Sequence, residues 1–128
     1  MKSPLPLTLS IFAACGAFAT LSAEDNWARF GGQEGNGRSA EKAMPVKWDA
    51  SSVVWKAKLK GEGQSSVVNW GDKLFVTSAT DKGTQRWVHC LDRKMGKLLW
   101  ERSVACAKPE DIHKMNTWAT PTCATDGE

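Results

Sequence analysis

Five short runs of β-branched and aromatic residues, each cut off by turn formers before it reaches helical length, constrain this chain more than any other feature. They are Val53-Val54-Trp55-Lys56, residues 65–68, Leu74-Phe75-Val76-Thr77, residues 87–91 and Leu98-Leu99-Trp100. Asp81-Lys82-Gly83 and Asp92-Arg93-Lys94-Met95-Gly96-Lys97 separate the last three runs. In such segments Asp binds its own turn backbone and Gly takes the positive φ of a tight reversal. The pattern predicts an all-β meander of antiparallel strands, with residues 109–115 as the one stretch able to make a helical turn.

Alternation inside the runs predicts how the sheet packs. Leu74 and Val76 point one way and Phe75 and Ala79 the other, while Trp87 and Leu91 oppose Val88 and Cys90. Both faces are apolar, so the sheet expects neighbours on each side. Val53-Val54-Trp55-Lys56 returns as Leu98-Leu99-Trp100-Glu101 after about 45 residues, the period of a propeller blade. Gly71-Asp72 is echoed by Gly127-Glu128.

On these residues a resemblance becomes specific. The stretch Leu91-Asp92-Arg93-Lys94-Met95-Gly96-Lys97-Leu98-Leu99-Trp100 resembles the tryptophan-docking motif of quinoprotein-type, pyrroloquinoline-quinone-binding-like β-propellers, with Met95 where Thr is usual. Trp27-Ala28-Arg29-Phe30-Gly31, with Gly35-Asn36-Gly37 and Ser39, is similar to their N-terminal arm. Gly63-Gln64-Ser65-Ser66 resembles the lead into a first full blade, and the segment from His113 to Thr122 the opening of the next. The resemblance covers nearly all of the chain after residue 23.

It implies four-stranded antiparallel blades, of which this chain holds an N-terminal arm over residues 24–52 and a partial propeller over 53–128. The first full blade spans about 63–102 and the next begins at about 117–128. The docking residues are Asp92, Gly96, Trp100 and Trp55. Asp92 ties the turn, Gly96 supplies its left-handed residue, and Trp100 is expected buried between adjacent sheets, where its N–H finds a backbone acceptor. The run at 53–56 is expected to complete the final blade of a ring by pairing with C-terminal strands. Propellers close with about four to eight blades, so the chain reads as an N-terminal fragment that does not fold stably alone.

Lys2 followed by an apolar stretch to Leu21, with small residues before Glu24-Asp25, reads as a signal peptide over residues 1–23. A retained anchor and a lipid on Cys15 are the alternatives. Export leaves Cys90, Cys106 and Cys123, with no C-x-x-C spacing for zinc, redox or haem chemistry. One disulfide, or three unpaired cysteines acting as small hydrophobes, fits the pattern.

With 41% hydrophobic and 24% charged residues in 128, the chain is neither disordered nor a multi-span membrane protein. A net charge of +3, scattered along the chain, argues for no nucleic-acid partner. The run Gly32-Gln33-Glu34-Gly35-Asn36-Gly37 lacks the strand, helix and Gly-Lys-Ser/Thr of a phosphate loop. His89 reads as packing beside Trp87, and His113, near Asp111, as a solvated loop residue; no catalytic constellation emerges.

The function expected is a non-enzymatic binding or scaffold module, periplasmic or associated with the cell envelope and outer membrane, as in the similar propellers of outer-membrane assembly. Its partner would be an envelope protein or a small ligand, with no cofactor and no transmembrane span in the mature chain. The alternative is a fragment of a pyrroloquinoline-quinone-dependent oxidoreductase carrying the quinone with calcium. Against it, the sequence has no adjacent cysteine pair, and Asn116 and Asp126 read as loop and turn residues rather than calcium ligands.

Overall fold

The computed structural model describes residues 26–42 and 44–128; the signal peptide expected at 1–23 lies outside them. The fold is all-β. One antiparallel sheet has the sequential order β1 (Val68–Trp70), β2 (Lys73–Thr80), β3 (Gln85–Asp92) and β4 (Leu98–Ala105).

Short turns set this order. Gly71, at φ +55°, reverses the chain between β1 and β2, and Asp81, Lys82 and Gly83 all take positive φ between β2 and β3. The register pairs Val76 with His89 and His89 with Glu101, and slips once between Cys90 and Leu91. Hence Leu74, Val76, Ser78, Trp87, His89 and Glu101 share one face, and Val68, Phe75, Thr77, Val88, Cys90 and Trp100 the other. Val68, Ala79, Cys90 and Leu91 are buried at its centre.

Each face meets a flanking segment without regular structure. Residues 55–62 cross the face that carries His89: the Trp55 indole reaches the β3–β4 turn, the Lys60 carbonyl accepts from Ser78, and Glu62 bridges to Ala79. On the opposite face the Thr77 hydroxyl donates to the Pro121 carbonyl at 3.0 Å. Gln64 ties the two flanks together, its amide donating to the Met115 carbonyl at 3.0 Å and its Oε1 accepting from Thr117 N at 3.1 Å.

Residues 53–56 are extended, with Val54 exposed, and join no ladder among the described residues. Two sequence expectations are corrected. The strand expected at 65–68 begins at Val68, because the Ser65 hydroxyl takes the place of ladder bonds by accepting from Thr77 N and facing Thr77 O. Residues 109–115 are not helical; among the described residues Ala50–Ser52, capped by Asp49, makes a single 3-10 turn, while Asp81–Gly83 turns through positive φ. The arm, in turn, is more than loop, since Trp27 and Asn69 exchange backbone hydrogen bonds at 3.0 Å along the outer edge of β1.

Candidate functional site

The β3–β4 turn is the first candidate. Asp92 Oδ1 accepts from Lys94 N at 2.9 Å and Met95 N at 2.7 Å, and its carbonyl accepts from Gly96 N at 2.9 Å. Gly96 then adopts φ +67°, a conformation that a Cβ resists. The missing side chain has a second purpose. A Cβ at Gly96 would lie 2.2 Å from Trp55 Cε3, because the indole packs against this glycine while Nε1 donates to the Arg93 carbonyl at 3.0 Å.

Trp55 is thus the tryptophan seated on the turn that Asp92 and Gly96 build. Trp100, expected to be buried between adjacent sheets, is 38% exposed on the edge strand β4, beside which no second sheet lies among the described residues. It leans on Phe75, with ring centroids 6.0 Å apart, and carries the Arg102 guanidinium 5.8 Å from its ring centroid. Its neighbours on β4, Leu98, Leu99 and Val104, are exposed as well, Val104 at 70%. Between Trp70, Phe75, Trp100 and the segment from Cys123 to Glu128 lies a cleft of about 490 Å³.

The Trp-on-Gly arrangement recurs. Trp118 lies on Gly83 at the β2–β3 turn and donates from Nε1 to the Glu110 carbonyl at 3.0 Å. Trp70 covers Gly127, and Trp27 covers Gly32, where a Cβ would sit 2.8 Å from the ring. All four glycines have positive φ. Sequence reasoning found only the Gly96 turn, since the other seats join residues that no local motif connects.

The second candidate is the centre of the face crossed by residues 55–62. His89 is fully buried at 0% exposure and stacks on Trp87, with centroids 6.3 Å apart and planes 13° from parallel. Its Nε2 lies 2.7 Å from Ser78 Oγ, and its Nδ1 lies 3.4 Å from Glu101 Oε2. Glu101 is also ion-paired to Lys60, whose ammonium sits 4.6 Å above the Trp87 ring.

Burial pushes the His89 pKa below its ordinary 6.5 and Lys60 adds to the effect, while Glu101 pulls the other way. The hydrogen bond from Lys60 holds Glu101 below the usual carboxylate range, and the nearby His89 acts in the same direction. Ser, His and Glu stand in the order of a hydrolytic triad, but Ser78 is 4% exposed and its hydroxyl donates to the Lys60 carbonyl at 2.5 Å. The Ser78 hydroxyl is thus buried and committed to the Lys60 carbonyl. His113 is exposed and its Nδ1 accepts from Met115 N at 3.3 Å.

Cys90, Cys106 and Cys123 are separate free thiols. Among the described residues no three His, Cys, Asp or Glu side chains gather as metal ligands. Asn116 N bonds to the His113 carbonyl, and Asp126 Oδ1 accepts from Glu128 N at 3.3 Å. No helix among the described residues is long and apolar enough to cross a membrane.

Compared with known proteins, the chain matches no family model, no curated protein and no solved structure. Its class rests on its own geometry: an all-β chain with one four-stranded antiparallel meander.

Proposed function

We propose that this chain is a non-enzymatic binding or scaffold module of the cell envelope, exported, and built as the arm, first blade and opening of the next blade of a quinoprotein-like β-propeller. The observation that carries the reading is the contrast between Trp55 and Trp100. The two occupy the same place in the repeat, yet Trp55 rests on Gly96 while Trp100 is 38% exposed on the edge strand. A sheet edge bearing Leu98, Leu99, Trp100 and Val104 is a surface that another sheet or a protein partner covers. The Asp92–Gly96 turn and the flanks on both faces also fit a blade held between neighbours.

The test is photo-crosslinking in cells from position 104 of the full-length protein, with position 82 on the opposite turn as control, alongside titration of the purified protein with pyrroloquinoline quinone and calcium. Crosslinks to an envelope protein from position 104 alone, with no saturable quinone binding, are expected. Saturable quinone binding that depends on calcium would overturn the scaffold reading in favour of the oxidoreductase.

A further inference from the structure

The buried His89 cluster is unexplained by any docking role, and its hydrogen-bond inventory is unbalanced. Ser78 has one hydroxyl proton and gives it to the Lys60 carbonyl at 2.5 Å. Toward His89, Ser78 Oγ can therefore only accept, which fixes the proton of the neutral imidazole on Nε2, 2.7 Å away. Nδ1 is left as a bare acceptor. It is buried, has no hydrogen-bond partner, and faces a second acceptor, Glu101 Oε2, at 3.4 Å.

One added proton reverses that conflict. An imidazolium donates from both nitrogens, to Ser78 and to Glu101, but it sits in a buried site close to the Lys60 ammonium. The charged and titratable groups facing His89 are few. Glu101 comes from β4 and Lys60 from the segment over the face; β2 offers the neutral Ser78 and Val76, and β3 itself the neutral Trp87. Glu101 presents Oε1 to Lys60 and Oε2 to His89, so once His89 is protonated the carboxylate's single negative charge is divided between two cations.

We propose that His89 is a proton-operated latch: proton uptake at Nδ1 draws the Glu101 carboxylate from Lys60 to His89 and loosens residues 55–62 from the sheet. Lys60 is the partner that yields, because its side chain is 55% exposed and water can solvate it, whereas His89 has no such outlet. Residues 55–62 hold Trp55 on Gly96, so loosening is transmitted to the turn that seats this tryptophan.

The sign is fixed by linkage. A buried histidine whose folded pKa lies below 6.5 binds fewer protons folded than unfolded, so its contribution to stability is present above pH 6.5. That contribution is lost as the pH falls through the folded pKa. The latch is closed at neutral pH and opens in acid.

The test is an NMR pH titration of the full-length protein labelled with ¹⁵N at histidine and tryptophan, with the His89 and Trp55 signals assigned by their loss in His89→Gln and Trp55→Phe. At pH 7 the imidazole should be neutral with its proton on Nε2, and its midpoint should lie below 6.5. The Trp55 indole N–H should shift or broaden with that same midpoint. Lys60→Met removes a repelling charge and should raise the midpoint, whereas Glu101→Gln removes an attracting one and should lower it. Lys60 is exposed enough for its variant to fold. A proton on Nδ1 at neutral pH, a Trp55 signal indifferent to the His89 titration, or an unmoved midpoint in Lys60→Met would each overturn the latch.

Discussion

Replacing Gly96 by Ala tests the Trp55 seat and the turn together. Two separable costs are expected. The backbone cost comes from φ +67°, where an L-residue loses about 1–2 kcal/mol. The second cost is the eviction of Trp55, because the new methyl would overlap the indole ring carbons. Eviction forfeits the hydrogen bond to the Arg93 carbonyl, net about 1 kcal/mol, and the packing of a half-buried indole, about another 1 kcal/mol. Gly96→Ala should therefore destabilise by about 3–4 kcal/mol. In a Trp55→Ala background only the backbone cost of about 1–2 kcal/mol remains, so the cycle should show a coupling of about 2 kcal/mol. Urea unfolding followed by far-ultraviolet circular dichroism reads all four proteins without relying on tryptophan emission. Equal penalties for Gly96→Ala in both backgrounds would refute the seat.

Trp100→Ala, at 38% exposure, should cost less than Trp55→Ala, about 1–2 kcal/mol in the same assay; a larger loss would mean that Trp100 is covered in solution. Cys90 is fully buried and its thiol is pushed up by burial, so alkylation at neutral pH should spare it until the chain unfolds. Cys123 is pushed up for the same reason, so it too should react slowly at neutral pH; mass spectrometry of the labelled peptides follows both.

How much of this was legible in the sequence differs from residue to residue. The Asp92–Gly96 turn was readable because its bonds join residues within four positions of each other, where side-chain type fixes backbone geometry. The positions of β2, β3 and β4 and the alternation of their side chains followed from period-2 patterning, although one face carries Ser78, His89 and Glu101 among its apolar residues. Residues 53–56 read as a strand because β-branched residues favour extended backbone whether or not a neighbouring strand supplies a ladder. The Ser78, His89 and Glu101 cluster was hidden for a related reason. These residues meet through the register of three strands, and the chain offered only a histidine beside a tryptophan. The Trp118 seat on Gly83 spans two turns with no shared motif.

The arrangement of short hairpins beneath two flanks has a consequence for how the chain acquires its shape. β1 to β4 are joined by reversals at 71–72, 81–84 and 93–97, contacts of the kind that close within about 1–10 μs. The flanks depend on distant partners, 38 positions for Trp55 and Arg93, 51 for Gln64 and Met115, and 56 for Ser66 and Thr122. Loop-closure entropy places those later. In the interval, a formed meander displays two bare apolar faces and an unpaired edge, and a nascent chain is most open to misassembly and to chaperones at that point. Pulse-labelled hydrogen exchange should accordingly find the β2 to β4 amides protected before the indole N–H groups of Trp55 and Trp118; the reverse order would show that the flanks nucleate the sheet.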